Sequence, residues 1–282
     1  MIPYENEKYW SERLQSNFSL GGVGNINASL ALNRWSYRVR RAVLLRTLHD
    51  YKIKLERSNI FELGFGTGFY LDIWRGERAA RVHGVDITDI AVDAASKRFG
   101  PLGWVFNKAD AAQPLCPELT GEHLDLSVCF DVLHHITDDT KHRMALQNMS
   151  ARLKPGGHLV IMDPVIFDPG YRQTYDPASW VRFRTLEQYR AAFEELNLAL
   201  VAVRPVFFFL NSPTDISGFW RKFFNLSWRL TTLPDRLFRR MGLNLSPGAL
   251  VGAAAYYPEL VLGRVFRRGP SSHILIACKK GA

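Results

Sequence analysis

The sequence predicts an α/β fold in which helices cover both faces of a mostly parallel sheet. The first observation is an alternation of apolar, strand-like runs (58–63, 81–86, 103–107, 124–130 and 157–163) with helix-like segments (about 69–77, 88–99 and 138–153). Strands that alternate with helices form parallel sheets, because each helix returns the chain to the edge where the next strand begins. The second observation is a glycine-rich turn directly after the first strand.

Further helices and strands lie on either side of this alternation. Residues 1–50 are predicted to be helical, since apolar residues recur at helical spacing from Ala28 to His49. Thr185 and Gln188 form a capping-box pattern, which predicts a helix over about 185–197. Apolar runs predict two more strands, at Leu198–Leu210 and Ser272–Lys279.

An inserted segment, residues 211–270, separates those two strands. It contains nine basic residues and three acids, so its net charge of +6 is most of the chain's +9. Ile216–Leu230 predicts an amphipathic helix in which Trp, Phe and Leu lie opposite basic residues. We expect Pro234 to begin a second helix and Pro258 to break the apolar run Gly248–Gly263.

These patterns divide the chain into three predicted domains. Residues 1–50 form an N-terminal helical cap. Residues 51–210, completed by 271–282, form the sheet domain. Residues 211–270 form a basic, aromatic helical insertion that is either a lid or a contact with a membrane.

Composition and charge limit the classes of function. With 47% apolar and 22% charged residues, the 282-residue chain is globular rather than disordered. A pI of about 9.6 makes nucleic acid, phosphorylated small molecules and acidic lipid candidate partners. The sequence has no uninterrupted apolar run of about 18 residues, so no transmembrane helix is predicted. The three cysteines lack metal-ligand spacing and the N-terminus lacks a secretory signal, which together favour a cytoplasmic protein.

The turn Phe61–Gly68 is the strongest functional signal. Gly64, Gly66 and Gly68 alternate, so the backbone can turn tightly and approach a ligand closely. A dinucleotide-binding turn would place its third glycine at position 69, which is Phe69. By itself the turn does not decide between this kind of site and that of other nucleotide-binding proteins.

Acidic residues follow the next two strands. Asp86 ends the second strand, 24 residues after Glu62. A carboxylate at this position can accept hydrogen bonds from both hydroxyl groups of a ribose. Asp110 follows the third strand, and the turn Leu153–Gly157 leads into the fifth. The glycine turn, Asp86 and Asp110 therefore occupy the carboxyl ends of consecutive strands.

With these motifs in this order, residues 55–165 resemble the class I S-adenosylmethionine-dependent methyltransferases, in particular those of ubiquinone and menaquinone biosynthesis. The resemblance implies a Rossmann-like sheet of seven strands with an antiparallel last strand, and S-adenosylmethionine as the cofactor. It implies cofactor contacts at Glu62, Gly64, Gly66, Gly68, Asp86 and Asp110. Phe130, which ends the fourth strand, is counted with them.

Two adjacent histidines, His134 and His135, follow the fourth strand, near the place where the donor methyl group is expected. An ordinary histidine pKa of about 6.5 suits proton removal near neutral pH, so one of the pair is the candidate catalytic base. The alternative is that they only hydrogen-bond the loop. No metal site is predicted, because no third ligand stands near His134 and Asp138.

The predicted reaction is O- or C-methylation of a small, lipophilic acceptor. Tyr4, Tyr9 and Trp10 are candidates for a lid over the cofactor, and the insertion is a candidate for peripheral contact with a membrane surface. Two alternatives stay open: a non-catalytic adaptor that keeps the fold and binds membrane, and an RNA methyltransferase. Nucleic acid is disfavoured, since Phe130 and its successors replace the Asn-Pro-Pro-Tyr-like tetrapeptide that amino-methylating nucleic-acid enzymes often carry.

Overall fold

A central sheet carries the fold, and the computed structural model describes the chain over residues 6–115, 123–167, 175–176, 181–215, 218–241 and 247–281. The strands are β1 (Asn59–Leu63), β2 (Arg81–Asp86), β3 (Val105–Lys108), β4 (Leu124–Phe130), β5 (Leu153–Ile166), β6 (Tyr175–Asp176), β7 (Val181–Arg182), β8 (Arg184–Thr185), β9 (Leu198–Pro205) and β10 (Ser272–Lys279). The helices are α1 (Asn6–Ser16), α2 (Leu20–Val23), α3 (Leu30–Asp50), α4 (Phe69–Gly76), α5 (Asp89–Phe99), α6 (Asp139–Ser150), α7 (Leu186–Glu195), α8 (Gly218–Arg240) and α9 (Pro247–Val265).

The strands lie in the order β3-β2-β1-β4-β5-β10-β9, with the short strand β8 beside β5. Strands β1 to β5 pair in parallel, whereas β10 runs antiparallel to both β5 and β9. The predicted α/β class, with a mostly parallel Rossmann-like sheet and an antiparallel last strand, is confirmed. Because β2 and β4 lie on opposite sides of β1, the winding direction reverses at β1. Sheets of this kind bind ligands at the carboxyl ends of the strands beside such a reversal.

Helices cover both faces of the sheet because the inner strands are apolar on both sides. Ile60 of β1 belongs to the buried cluster that includes Trp74 of α4 and residues of α3 and α5. The next residue, Phe61, belongs to the opposite cluster, which includes Tyr189 of α7 and residues of α6. Successive residues of a strand point to opposite faces, so a strand such as β1, in which residues 60–63 are all buried, requires cover on both sides.

Side-chain caps fix the starts of the helices that follow the strands. The capping box predicted at Thr185 is confirmed: its hydroxyl accepts from the Gln188 N–H at 3.1 Å, and its N–H donates to Gln188 Oε1 at 2.9 Å. Asp138 caps α6 by accepting from the Lys141 N–H at 2.9 Å. Such caps satisfy N–H groups that have no partner within the helix.

Two prolines that predicted helix boundaries lie inside continuous helices. Pro234 lies within α8 and does not begin a new helix, and Pro258 lies within α9 and does not break it. A proline removes the hydrogen bond to the carbonyl four residues earlier. Those earlier residues, Leu230 and Ala254, are exposed, so water can satisfy the freed carbonyls. Within the described ranges, no helix combines the length and apolarity needed to cross a membrane.

The strand predicted to reach Leu210 ends at Pro205, because the following backbone bonds to a carboxylate of the insertion. Glu259 of α9 accepts from the N–H groups of Phe208 at 2.6 Å, Phe209 at 2.7 Å and Leu210 at 2.6 Å. Glu259 is fully buried. Burial raises its pKa to about 7, although the three N–H groups act in the opposite direction.

Helix α9 is also packed tightly on α3. A Cβ at Gly252 would lie 2.4 Å from the indole ring of Trp35, so the glycine allows the two helices to approach. Arg46 Nη1 donates to the Leu260 carbonyl at 3.0 Å. The insertion is thereby held against the N-terminal helices as well as the sheet. The division into three domains stays a prediction.

We predict that Glu259→Ala destabilises the fold. Three buried N–H groups would lose their acceptor, and each such loss typically costs about 1–3 kcal/mol. The free energy of unfolding, measured by urea denaturation, should fall by an amount in or above that range. Glu194→Ala, at an exposed position of α7, is the matched control and should leave it within about 0.5 kcal/mol. Equal stability of the two variants would contradict an anchoring role for Glu259.

Candidate active site

Three glycines with left-handed backbone form the turn between β1 and α4. The φ angles of Gly64, Gly66 and Gly68 are 75°, 51° and 79°, a region that favours glycine strongly. A Cβ at Gly64 would also lie 2.4 Å from Val132 Cγ2, in the loop after β4. The predicted turn therefore requires glycine both for its backbone angles and for the close approach of the neighbouring loop.

Asp86, at the end of β2, holds the glycine turn in place. Its Oδ2 accepts from the Gly66 N–H at 2.9 Å, and its Oδ1 accepts from the N–H and the hydroxyl of Thr88 at 3.0 and 2.9 Å. Burial raises the pKa of this carboxyl, against the hydrogen bonds that favour its charged form. Asp86 also lines the cleft described next, where its remaining acceptor capacity faces a ligand.

A cleft of about 940 Å³, counted to its open mouth, lies over the glycine turn. The cap contributes Asn6, Trp10, Leu14, Val23 and Tyr37 to its walls; the turn and α4 contribute Gly64, Phe65, Gly66, Thr67, Phe69 and Tyr70; and the strand ends and their loops contribute Leu63, Val85, Asp86, Ile87, Ala109, Asp110, Ala111, Phe130, Asp131, Val132, His135 and Ile136. Gly64, Gly66, Asp86, Asp110, Phe130 and His135 of the predicted site therefore meet in one cleft.

Helix α1 forms one side of this cleft. The Trp10 ring meets the His135 ring edge-on, with centroids 5.1 Å apart. Glu7 binds Lys108 Nζ at 2.7 Å, which ties the helix to the end of β3. Of the predicted lid residues, Trp10 lines the cleft, Tyr9 does not, and Tyr4 lies outside the described residues.

Glu62 is the predicted site residue that lies farthest from this arrangement. It is 1% exposed, does not line the cleft, and its Oε2 accepts from Trp74 Nε1 at 2.5 Å. Burial raises its pKa to about 8; the Trp74 bond opposes this shift and the charge of Asp86 adds to it. Glu62 is therefore largely neutral near pH 7 and supports the turn from below. Gly68 likewise lies beneath the cleft, beside Phe99.

Asp110 and Phe130 lie on opposite sides of the cleft. Asp110 Oδ1 accepts from the Ala112 N–H at 2.8 Å, which fixes the turn after β3. Phe130 is buried, and its ring centroid lies 4.3 Å from that of Tyr70. The carboxylate and the aromatic surface provide one polar and one apolar contact for a flat ligand.

The two histidines have different surroundings. His135 lines the cleft, and its Nδ1 is buried without a hydrogen-bond partner in the described chain. Burial, with smaller effects from His134 and Arg13, holds its pKa well below the usual value. Its imidazole is therefore neutral near pH 7.

His134 turns away from the cleft toward a buried carboxylate. Its Nδ1 lies 2.6 Å from Asp163 Oδ1, and Tyr189 donates to Asp163 Oδ2 at 2.9 Å. Burial disfavours the imidazolium, but the charge of Asp163 and its hydrogen bond outweigh this effect and raise the pKa of His134. His134 is thus part of a structural cluster between the loop after β4 and the end of β5.

An ion pair that the sequence analysis missed supports the same loop. Arg40 of α3 is buried, and its Nε donates to Asp131 Oδ2 at 2.9 Å. The signal was its spacing, since Ser36 and Val43, four residues before it and three after it, are buried as well. Asp131 has a left-handed φ of 58° and lines the cleft.

Comparison with known proteins identifies the central part of the chain. A family model described as a methyltransferase domain matches residues 61–159, from β1 into β5. The matched range contains the glycine turn, Asp86, Asp110 and both histidines. Residues 61–159 form a methyltransferase domain. A comparison with curated protein sequences finds no match.

The chain as a whole resembles solved structures at low identity. Magnesium protoporphyrin IX methyltransferase from Synechocystis PCC 6803 with bound SAH is 14% identical, with 97% of this chain and 98% of that chain covered and a TM-score of 0.55. Geranyl diphosphate C-methyltransferase from Streptomyces coelicolor A3(2) is 14% identical, with coverages of 86% and 81% and a TM-score of 0.52. The cyclase SpnF is 17% identical, with coverages of 80% and 76% and a TM-score of 0.50.

At these identities the structural likeness shows the fold alone, and the cyclase illustrates that one fold carries different reactions. The domain match therefore decides the class. The predicted enzyme class, an S-adenosylmethionine-dependent methyltransferase, and the predicted cofactor, S-adenosylmethionine, are confirmed. The narrower resemblance to enzymes of ubiquinone and menaquinone biosynthesis stays a prediction.

We predict that Gly64→Ala weakens binding of S-adenosylmethionine to the methyltransferase by at least about tenfold, because the new Cβ would push Val132 and displace the turn. Isothermal titration measures the dissociation constant. Gly103→Ala is the matched control, since Gly103 has a φ of 78° but nothing within 4 Å of its Cβ position. It has the same backbone strain and should bind normally. Equal binding by the two variants would contradict the close-approach role of Gly64.

We predict that the stabilising effect of the His134–Asp163 pair decreases with rising pH. A raised folded pKa means that the effect is complete below the unfolded value of about 6.5 and is lost as the pH rises through the folded value. His134→Gln should therefore lower the free energy of unfolding more at about pH 6 than at about pH 9, by up to about 3 kcal/mol. His49→Gln, whose parent side chain is 91% exposed, is the control. A pH-independent difference would contradict the pairing.

Proposed function

We propose that this methyltransferase transfers a methyl group from S-adenosylmethionine to an oxygen or carbon of a small, lipophilic acceptor. The observation that carries the proposal is the cleft, whose walls combine apolar and aromatic side chains with a neutral histidine, His135. Clefts that bind small apolar ligands are lined in this way, with a few polar groups that orient the ligand. His135 therefore favours a bound molecule that offers a proton or a hydrogen bond.

The residues of the cleft fit the donor. Asp86 offers carboxylate oxygens for the ribose hydroxyls, and Asp110 offers a carboxylate beside the adenine position. The left-handed turn at Gly64 and Gly66 leaves room for backbone to approach the methionine part. Phe130 contributes an apolar contact. When bound, S-adenosylmethionine supplies a methyl group on a positively charged sulfur, which is already an activated leaving group.

The two histidines have separate proposed roles. His135 remains neutral near pH 7, so it accepts a proton or a hydrogen bond from the acceptor without first having to lose a proton. His134, bonded to Asp163, positions the loop that carries His135; the two rings lie 4.1 Å apart. Glu62, which the resemblance makes a cofactor contact, acts through Trp74 and the turn rather than by direct contact.

The composition of the walls favours a small apolar acceptor over RNA. Among the described residues that line the cleft there is no lysine or arginine, whereas RNA recognition relies on cations near the phosphates. Trp10, Tyr37 and Phe69 give apolar surface at the cap side instead. A cytoplasmic enzyme with such an acceptor would meet it at a membrane, and residues 211–270 are the part of the chain proposed to reach the lipid.

The proposal is tested by following a labelled methyl group. The full-length enzyme is incubated with methyl-labelled S-adenosylmethionine and a cell extract, which is then divided into organic-soluble, RNA and protein fractions. We expect label in organic-soluble small molecules. Label in RNA would overturn the proposal in favour of an RNA methyltransferase. Donor binding without transfer to any fraction would overturn it in favour of an adaptor.

In the same assay, His135→Asn should lower the transfer rate by about a hundredfold while donor binding persists. Because the pKa of His135 lies well below its usual value, the wild-type rate should not fall between about pH 8 and about pH 6 through protonation of this residue. His49→Asn, at an exposed position, is the control. A His135→Asn rate equal to that of the control would remove His135 from the proposed mechanism.

A further inference from the structure

Helix α8 presents a continuous apolar stripe to solvent. Its members are spaced by three or four residues and are each 44–58% exposed: Trp220, Phe223, Leu226, Leu230, Leu233 and Leu237. Such spacing puts all of them on one side of a helix. The methionine that follows the helix, Met241, extends the stripe and is 69% exposed. Soluble proteins rarely leave so long a contiguous apolar surface in water unless it binds a partner.

The opposite side of α8 already has its contacts within the protein. Thr231, Thr232 and Asp235 are buried, and the Asp235 carboxylate accepts from the Gly248 N–H at 2.8 Å. Phe224 packs against Phe209, with ring centroids 5.8 Å apart. Because that side of α8 is the one packed on the protein, the exposed stripe is not needed for packing within the chain.

Positive charge borders the stripe. Helix α8 contains six basic residues and one acid, and the acid, Asp235, is buried on the opposite side. Lys222 and Arg229 are exposed and fall, by helical spacing, along one edge of the stripe. Three more exposed basic residues lie at the end of α9 and just beyond it, at Arg264, Arg267 and Arg268.

We propose that α8 docks on the surface of an anionic membrane, with its apolar stripe inserted among the lipid chains and Lys222 and Arg229 at the headgroups. An apolar face bordered by basic residues, with a tryptophan on the apolar side, is typical of helices that lie in a membrane interface. A second copy of the chain fits less well, because a symmetric pair would bring two basic borders together.

The side of α8 that packs on the protein is connected to the cleft by a short series of contacts. Phe224 of α8 packs on Phe209, and the neighbouring carbonyl of Leu210 accepts from the Ser36 hydroxyl of α3 at 2.8 Å. The residue after Ser36 is Tyr37, which lines the cleft. The inference rests on the proposed function, which brings residues 211–270 to the lipid, and deepens it by naming α8 as the docking face and an anionic membrane as its partner.

Co-sedimentation with vesicles tests this inference. The full-length protein is mixed with vesicles of phosphatidylcholine alone or of phosphatidylcholine with phosphatidylglycerol. We expect binding to the anionic vesicles that is at least about tenfold stronger and that weakens with salt. The double variant Leu226→Asp, Leu230→Asp should lose that binding. Its matched control is Leu102→Asp, Val105→Asp, which changes exposed apolar residues near β3 and should bind like the wild type.

A second variant, Lys222→Glu with Arg229→Glu, separates charge from apolar insertion and should lose the preference for anionic vesicles. Titration with S-adenosylmethionine checks that each variant is folded, so loss of docking is distinguished from loss of the donor site. Absence of vesicle binding by the wild type, or equal binding by the stripe variant and its control, would overturn the proposal. If sedimentation shows that the wild type is a dimer and the stripe variant is a monomer, the proposal is overturned in favour of self-association.

Discussion

The hydrogen bond between the Asp86 carboxylate and the Gly66 N–H is the constraint on which the site depends. It ties the turn after β1 to the end of β2, at the point where the winding direction of the sheet reverses. The turn donates this bond from a backbone whose three glycines have left-handed φ angles, which other residues rarely adopt. The loop after β4 then closes on the other side of the turn through Val132, and the cleft forms between these three segments.

Most of the sheet could be predicted from the sequence because its signals are local. Buried parallel strands are continuous apolar runs, and the alternation with helices fixes their direction without knowledge of tertiary contacts. The capping box at Thr185 is equally local, since both of its hydrogen bonds join residues three apart. The helix boundaries predicted at Pro234 and Pro258 were wrong because the effect of a proline depends on tertiary contacts as well as on local sequence. Whether Pro258 ends a helix depends on the cost of one lost hydrogen bond relative to the packing of α9 on α3.

Six of the predicted site residues line the cleft, but the sequence does not show how the two histidines differ. His134 and His135 are neighbours of the same residue type, and the sequence gives no reason to separate them. Their difference arises from Asp163, 29 residues beyond His134 and brought to it by the pairing of β4 with β5. The same applies to Arg40, whose partner Asp131 lies 91 residues away. Pairings of this range become visible only when the strands are in register.

The cap side of the cleft depends on the insertion. It is built by α1 and α3, and α3 in turn is held by α9. Glu259 connects α9 to the backbone after β9 with three hydrogen bonds, so the insertion is attached to the sheet by a buried carboxylate rather than by apolar packing alone. Because α9 is attached in this way and α8 packs beside it, the apolar stripe of α8 can stay exposed and need not pack on the protein surface. Tyr37, which lines the cap side of the cleft, lies on α3, and Trp35 and Arg46 of the same helix contact Tyr256 and the Leu260 carbonyl of α9. The wall of the cleft and the insertion are therefore connected through α3.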